Sequence, residues 1–143
     1  MIIKYFLEEY CLFFEALFFL AVSRLILIFL PFKKIAPFIG KLLTTAEINP
    51  DHTETIKDVF PLQKAIARGC RYSFWKTKCF EQALAAKMML KRRGLPFVLY
   101  FGVLKDEKTV KINAHAWVSY SGTIICGNMP NLKSYTIVSR FKG

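Results

Sequence analysis

Residues 75–96, WKTKCFEQALAAKMMLKRRGLP, predict one helix with a cysteine in its first turn. Gly94 is a typical helix-ending residue, and Pro96 cannot continue a helix. Small residues lie near the start of one face, so the helix can approach a neighbouring element closely. The positions that share this face at helical spacing are Cys79, Gln82, Ala83, Ala86 and Leu90.

The position of the cysteine indicates a nucleophile. A side chain at a helix N-terminus faces unsatisfied backbone N–H groups and the positive end of the helix dipole. For Cys79, both features favour the thiolate, which is the nucleophilic form. The same N–H groups can hold an oxyanion during acyl transfer. Gln82, one turn later on the same face, either lines the cleft or satisfies a backbone group.

A nucleophile of this kind needs a base, and the chain has two histidines. His115 lies in INAHAWVSYSG, a strand-like run in which alternation places Trp117 and Ser119 on the same face. A third group should orient the imidazole. The next short strand, TIICG, ends at Asn128, which lies near His115 if the two strands pair. The predicted catalytic set is therefore Cys79, His115 and Asn128.

Two segments carry a resemblance to a known family. KCFEQALAAKMMLKRRGLPFVLYFGV and AHAWVSYSGTIICGN closely resemble the transglutaminase-like peptidases of lasso-peptide biosynthesis. The chain is similar to the peptidase half of the split maturation protease, in which a separate small protein binds the leader. The resemblance implies Cys79 as nucleophile and His115 as base. The family usually has Asp at the third position, and this chain has Asn128, as Cys-His-Asn sets do in papain-like enzymes.

Composition bounds the class of protein. The 143 residues, 54% of them hydrophobic, suit a single domain with a compact core. We expect residues 1–143 to form one domain, with an apolar helical part at 1–50 and a catalytic core at 51–143. The net charge of +11 suits an anionic membrane or an acidic partner. Lysines and arginines are spread along the chain without a long basic run, so no nucleic acid partner is expected.

Cysteine usage indicates a reducing compartment. The four cysteines form no C-x-x-C pair, and no cleavable signal sequence is evident, so we expect a cytoplasmic protein with free thiols. No metal site is expected, because His52 and His115 form no local ligand pair with any cysteine. No other cofactor is expected.

The N-terminal residues 5–30 are strongly apolar, and their length would suit a membrane span. Glu15 and Arg24 argue against a span, because each charge at depth costs roughly 2.5–3.5 kcal/mol on insertion scales. A buried or partner-facing helix is the expectation. A membrane-surface helix and a true span remain alternatives.

The remaining pattern predicts further helices followed by strands. A short helix is expected at residues 33–43, with Pro37 as a candidate break, and a polar connector at 44–51. Another helix should run to about residue 72, with Thr53 as its cap and a kink at Pro61 or two shorter helices there. Strands are expected at residues 96–104, 110–120, 123–127 and 134–141, the first buried on both faces. The fold class is therefore α+β, with an antiparallel sheet packed on the cysteine helix in a transglutaminase-like or papain-like arrangement.

The resemblance also implies a function and partners. It implies a cysteine peptidase that removes the leader peptide from a lasso-peptide precursor. Its partners would be a separate leader-binding RiPP recognition element protein, the precursor itself and an ATP-dependent macrolactam cyclase. Two alternatives remain. A transglutaminase-like acyltransferase would differ only in the nucleophile that resolves the acyl-enzyme. A non-catalytic, membrane-associated scaffold would explain the composition but leave the Cys–His pairing accidental.

Overall fold

The computed structural model of the protein describes residues 1–43 and 58–143 and has an α+β fold, as predicted. The connector at residues 44–51 and the expected cap Thr53 lie outside the described residues. The elements in chain order are α1 (Ile2–Phe29), α2 (Phe32–Ile39), β1 (Lys41–Leu42), α3 (Phe60–Tyr72), α4 (Cys79–Arg92), β2 (Val98–Lys105), β3 (Ile112–Tyr120), β4 (Thr123–Cys126), a short 3-10 turn (Leu132–Ser134) and β5 (Thr136–Lys142).

The strands form one antiparallel sheet in the order β1-β5-β2-β3-β4. The apolar strand β2 lies at its centre, with a paired strand on each side. Adjacent residues are buried only at Val98 and Leu99, so the prediction of a strand buried on both faces is correct only at its start. The two-residue strand β1 was not predicted. It pairs Lys41 with Lys142 at the far end of the chain, so the expected helix at residues 33–43 ends earlier, at Ile39.

The cysteine helix α4 packs against one face of the sheet. Buried residues of the helix and of β3 belong to the same hydrophobic core, and they include Ala83, Ala86, Met89, Leu90, Ala116, Val118 and Tyr120. The small side chains of the first turns allow this close approach, as the sequence pattern predicted. The helix therefore fixes where its first residue lies relative to the sheet.

The end of α4 follows the pattern that the sequence predicted. Gly94 has φ +66°, a left-handed conformation that glycine adopts without steric cost. Its N–H donates to the Lys91 carbonyl, and the Leu95 N–H donates to the Leu90 carbonyl, each at 3.0 Å. This pair of bonds is the Schellman motif, which satisfies carbonyls that the helix leaves unpaired.

The two prolines inside expected helices do not break them. Pro37 lies within α2, which continues to Ile39. Pro61 lies in the first turn of α3, where its missing N–H has no intrahelical partner to lose. Residues 58–59 are not helical, so the prediction of a helix running through them to a kink at Pro61 was wrong.

The long helix α1 is held to the domain by its inner face. Ala16, Leu20 and Ser23 are fully buried against the rest of the fold. Both Glu15 carboxylate oxygens accept hydrogen bonds from the Arg93 guanidinium at 2.7 Å. The Arg24 guanidinium donates to the buried Glu81 carboxylate at 2.6 Å. The two charges that argued against a membrane span therefore attach α1 to α4.

The outer face of α1 is apolar and exposed. By length and composition α1 could cross a membrane. Only 17% of its most apolar 18-residue stretch is buried within the chain. It is therefore not a buried core helix, and its partner-facing role stays a prediction. We call this surface the α1 outer face; its exposed side chains include Leu7, Tyr10, Phe14, Phe18, Leu25 and Ile28.

Candidate active site

The candidate nucleophile is the first residue of a helix. Cys79 opens α4 directly after its N-cap, Lys78, whose side chain makes no capping hydrogen bond. The backbone N–H groups of the first turn are therefore not satisfied by an N-cap side chain. Cys79 is half-buried and packs against the edge of the hydrophobic core. This placement leaves the thiol partly accessible at the positive end of the helix dipole.

A buried carboxylate anchors the chain on both sides of the cysteine. Glu81, in the first turn of α4, is fully buried. One of its oxygens accepts from Arg24 of α1, and the other accepts from Trp75 Nε1 at 3.2 Å. No local sequence pattern indicated this arrangement, because Arg24 is far from Glu81 in the chain. The carboxylate ties the segment ahead of Cys79 to the helix that Cys79 begins.

Side-chain hydrogen bonds within the same segment fix it further. Gln82 Nε2 donates to Thr77 Oγ1 at 3.0 Å. The side-chain amide of Gln82 thus donates to another side chain and not to a backbone group. Ser73 Oγ lies 2.9 Å from the Trp75 carbonyl oxygen. Residues 73–78 are therefore held from both ends, which positions Cys79.

The candidate base is oriented by a backbone carbonyl. His115 Nε2 lies 2.6 Å from the Gly127 carbonyl oxygen. A carbonyl can only accept, so Nε2 carries the hydrogen, and in the neutral ring Nδ1 keeps the lone pair. Nδ1 is therefore the atom that can take a proton.

Aromatic rings hold the imidazole in place. The His115 ring centroid lies 5.9 Å from that of Trp117 and 5.7 Å from that of Tyr135. Trp117 in turn stacks on Tyr100 of the neighbouring strand, at 5.4 Å and 10°. The shared face of His115 and Trp117 was predicted from strand alternation. Tyr100 and Tyr135 were missed, because their contribution depends on strand pairing.

Asn128, the predicted third catalytic residue, directly follows Gly127, whose carbonyl oxygen binds the His115 imidazole in its place. Asn128 is exposed, and its side chain makes no hydrogen bond with the described part of the chain. The preceding residue, Gly127, has φ +86°, and its carbonyl faces His115. The strand end was thus predicted, but the group in contact with the imidazole is a main-chain oxygen.

The thiol and the imidazole belong to different faces of the sheet. α4 packs on the β3 face that carries Ala116 and Val118, and His115 points to the other face by alternation. No hydrogen bond joins Cys79 to His115 in the part of the chain that the structure describes. Both lie near the same end of the edge strand β4. Cys79 contributes to raising the pKa of Cys126, the last residue of β4, and His115 binds the carbonyl of Gly127, which follows it.

The other cysteines are less suited to nucleophilic attack. Burial raises the pKa of the Cys126 thiol to about 12, with smaller contributions from the nearby Cys70 and Cys79. Burial also raises the pKa of Cys70. Cys11 is exposed in the interior of α1, away from the unpaired N–H groups of a helix N-terminus. Among the described residues, no three His, Cys, Asp or Glu side chains are grouped as metal ligands would be.

Comparison with known families decides the classification. A family model described as the transglutaminase-like superfamily matches residues 26–140. The chain belongs to the transglutaminase-like superfamily. This superfamily includes cysteine peptidases and acyltransferases, and its members are generally cysteine-dependent enzymes. No curated protein and no solved structure gives a significant match.

The matched region of this transglutaminase-like chain contains the whole candidate site. It spans α4, β3 and β4, which carry Cys79, His115 and the approach to Gly127. Most of α1 precedes it, since the match begins at residue 26. The match therefore leaves out most residues of the α1 outer face.

Proposed function

We propose that the protein is a cysteine peptidase that removes the leader peptide from a lasso-peptide precursor, with Cys79 as nucleophile and His115 as base. The observation that carries the proposal is the placement of Cys79 as the first residue of α4, behind a segment fixed by Glu81 and Gln82. Membership of a superfamily of cysteine-dependent enzymes supports the same chemistry.

The reaction begins with proton transfer from the Cys79 thiol to Nδ1 of His115. The thiolate attacks the scissile carbonyl carbon, and a C–S bond forms. N–H groups of the first turn of α4 face the developing oxyanion. The imidazolium then protonates the leaving amine, and the C–N bond breaks. Water, deprotonated by His115, attacks the acyl-enzyme and releases the second fragment and the thiol.

This mechanism requires the thiol and the imidazole to come into hydrogen-bond range. Because the two groups lie on different faces of β3, they can meet only around its open edge, which β4 leaves unpaired beyond the Val118–Cys126 pair. In this proposal a peptide bound at the end of β4 brings Cys79 and His115 together. The Gly127 carbonyl keeps the hydrogen on Nε2, so that Nδ1 is the atom that takes and returns the proton.

The proposed partners supply substrate choice. A separate leader-binding RiPP recognition element protein delivers the precursor in the cytoplasm, and an ATP-dependent macrolactam cyclase closes the product. The α1 outer face is the proposed docking surface for the leader-binding protein, because a large exposed apolar patch marks an interaction site.

The test is a reconstituted cleavage reaction read by mass spectrometry. Purified protein, leader-binding partner and precursor should give leader and core fragments. Cys79→Ala should abolish cleavage, whereas Cys70→Ala, on α3, should retain it. Full cleavage by Cys79→Ala would overturn the proposal. Repeating the reaction with an added primary amine separates hydrolysis from acyl transfer, because transfer adds the mass of the amine less water to one fragment.

A further inference from the structure

A cavity lies away from the candidate active site. It is a cleft of about 310 Å³ between α1, α2 and α4, a volume at the lower end of small-molecule sites. We call it the α4 cleft. Apart from one lysine its lining is apolar, consisting of Ile26, Leu30, Ile35, Phe38, Leu84 and Met88.

The remaining lining residue is a buried cation. Lys87 is only 8% exposed. It makes no ion pair or hydrogen bond with residues 1–43 or 58–143. Burial, and then the positive charge of Lys91, lowers its pKa below the ordinary lysine value. Most of the Lys87 side chain is out of water, so an anion bound beside its ammonium would compensate a charge that has no counterion among the described residues.

The lining selects the rest of the ligand. A peptide in this cleft would bury amide groups, and the described side chains of its walls offer no acceptor and no donor besides Lys87 to satisfy them. An alkyl chain has no such groups and gains from burial against Leu84 and Met88. An alkyl chain ending in a carboxylate meets both conditions at once.

We propose that the α4 cleft binds a medium-chain monocarboxylate, with the alkyl chain against its apolar walls and the carboxylate paired with the Lys87 ammonium. The site is distinct from the candidate active site. Lys87 lies about two turns, or roughly 12 Å, along α4 from Cys79. The proposal therefore does not depend on the peptidase function.

The experiment compares two probes that differ only in the head group. Decanoate and decanol, both below their aggregation limits and without detergent, are titrated into the purified full chain by calorimetry. Decanoate should bind about tenfold more tightly, because only the acid forms a charge-assisted bond. The net charge of +11 also attracts the anion nonspecifically, so the readout is the part of the preference for decanoate that is lost when Lys87 alone is replaced.

Three variants locate the site. Lys87→Met should remove the preference for the acid, whereas Lys105→Met, at the exposed end of β2, should keep it. Met88→Trp, which fills the cleft and leaves the amine in place, should weaken decanoate binding about tenfold or more. Equal binding of the two probes, an undiminished preference in Lys87→Met, or unchanged binding in Met88→Trp would each overturn the proposal.

Discussion

Among single residues, Gly127 is the one on which the candidate base depends most directly. Its carbonyl is the hydrogen-bond partner of His115, and its backbone is left-handed at φ +86°. A Cβ here would lie 2.6 Å from the Ala116 carbonyl oxygen. Any side chain must therefore displace the strand end, and the carbonyl moves with it.

The first prediction uses two glycines with similar backbones. Gly127→Ala should reduce cleavage at least tenfold and destabilise the fold by about 1–3 kcal/mol. Gly122→Ala is the matched control, since Gly122 has φ +81° and a Cβ there would meet no atom of the described residues within 4 Å. Its activity should stay near that of the unmodified protein. Steady-state cleavage rates and urea unfolding measure both; equal activity losses would show that the carbonyl position is unimportant.

The second prediction separates a side chain from a main-chain partner. Asn128→Ala should cleave within about threefold of the unmodified rate, because the Asn128 amide is exposed and does not hold the imidazole. His115→Ala should lose cleavage nearly as completely as Cys79→Ala, and the double variant should be little worse than either. A loss in Asn128→Ala as large as in His115→Ala would return the orienting role to the amide.

These residues show what the sequence could and could not predict. Cys79 and His115 were identified because a helix start and strand alternation are local patterns. The Gly127 carbonyl was not, because a main-chain oxygen has no side-chain signature. The Glu81 interactions with Arg24 and Trp75 were also hidden, since they join elements that only the tertiary fold brings together.

The third prediction concerns the buried cation Lys87. The folded pKa of Lys87 is below its usual value of 10.5, so between these two values the unfolded chain binds more protons. Stability from this residue is therefore lost as pH falls through the folded pKa and is fully present above about 10.5. Lys87→Met should stabilise the protein at pH 7, and the gain should shrink as pH rises toward 10.5. Urea unfolding at several pH values measures this, with Lys105→Met as the control; a gain independent of pH would contradict it.

Among the elements, α1 and α4 depend on each other through buried carboxylates. Glu81 joins α1, α4 and the segment ahead of the nucleophile, and its side chain is 1% exposed. Removing one member of such a set leaves the others buried without a partner, which is more unfavourable than losing a surface ion pair.

The fourth prediction follows from this arrangement. Glu81→Gln keeps the shape but leaves the Arg24 charge uncompensated, so it should destabilise the protein by about 1–3 kcal/mol. Cleavage should also fall, because residues 73–78 position Cys79. Glu8→Gln, at an exposed position on α1, should change neither. Chemical unfolding and cleavage assays on the same preparations measure both effects; an unchanged cleavage rate would show that the segment does not position the nucleophile.

The elements also differ in how far the sequence predicted them. α1, α4 and the strands from β2 to β5 have long apolar runs or strong periodicity, and all were expected. The start of α3 was misplaced, because Pro61 suits a first turn as well as a kink. The two residues of β1 have no pattern of their own and are strand only because β5 lies beside them.

At the scale of the whole molecule, α1 has two different surfaces. One side is attached to α4 by ion pairs and buried small residues, and the α1 outer face is apolar and exposed. The docked side fixes the direction in which the exposed side points. Whatever covers the α1 outer face must therefore approach the assembled domain rather than replace α4 as the neighbour of α1.

The last prediction identifies what covers that face. Phe14, Phe18 and Leu25 lie on one stripe of α1 and are 62%, 62% and 54% exposed, so changing all three to Gln should leave thermal stability nearly unchanged. The isolated variant should aggregate less, and in a pull-down it should lose binding to the leader-binding protein. Ile112→Gln/Val138→Gln, at exposed apolar positions on the sheet, is the matched control and should still bind. Flotation with anionic vesicles supplies the opposing outcome. If the triple variant keeps its protein partner but no longer floats with vesicles, the α1 outer face binds a membrane surface, and the leader-binding protein must dock elsewhere.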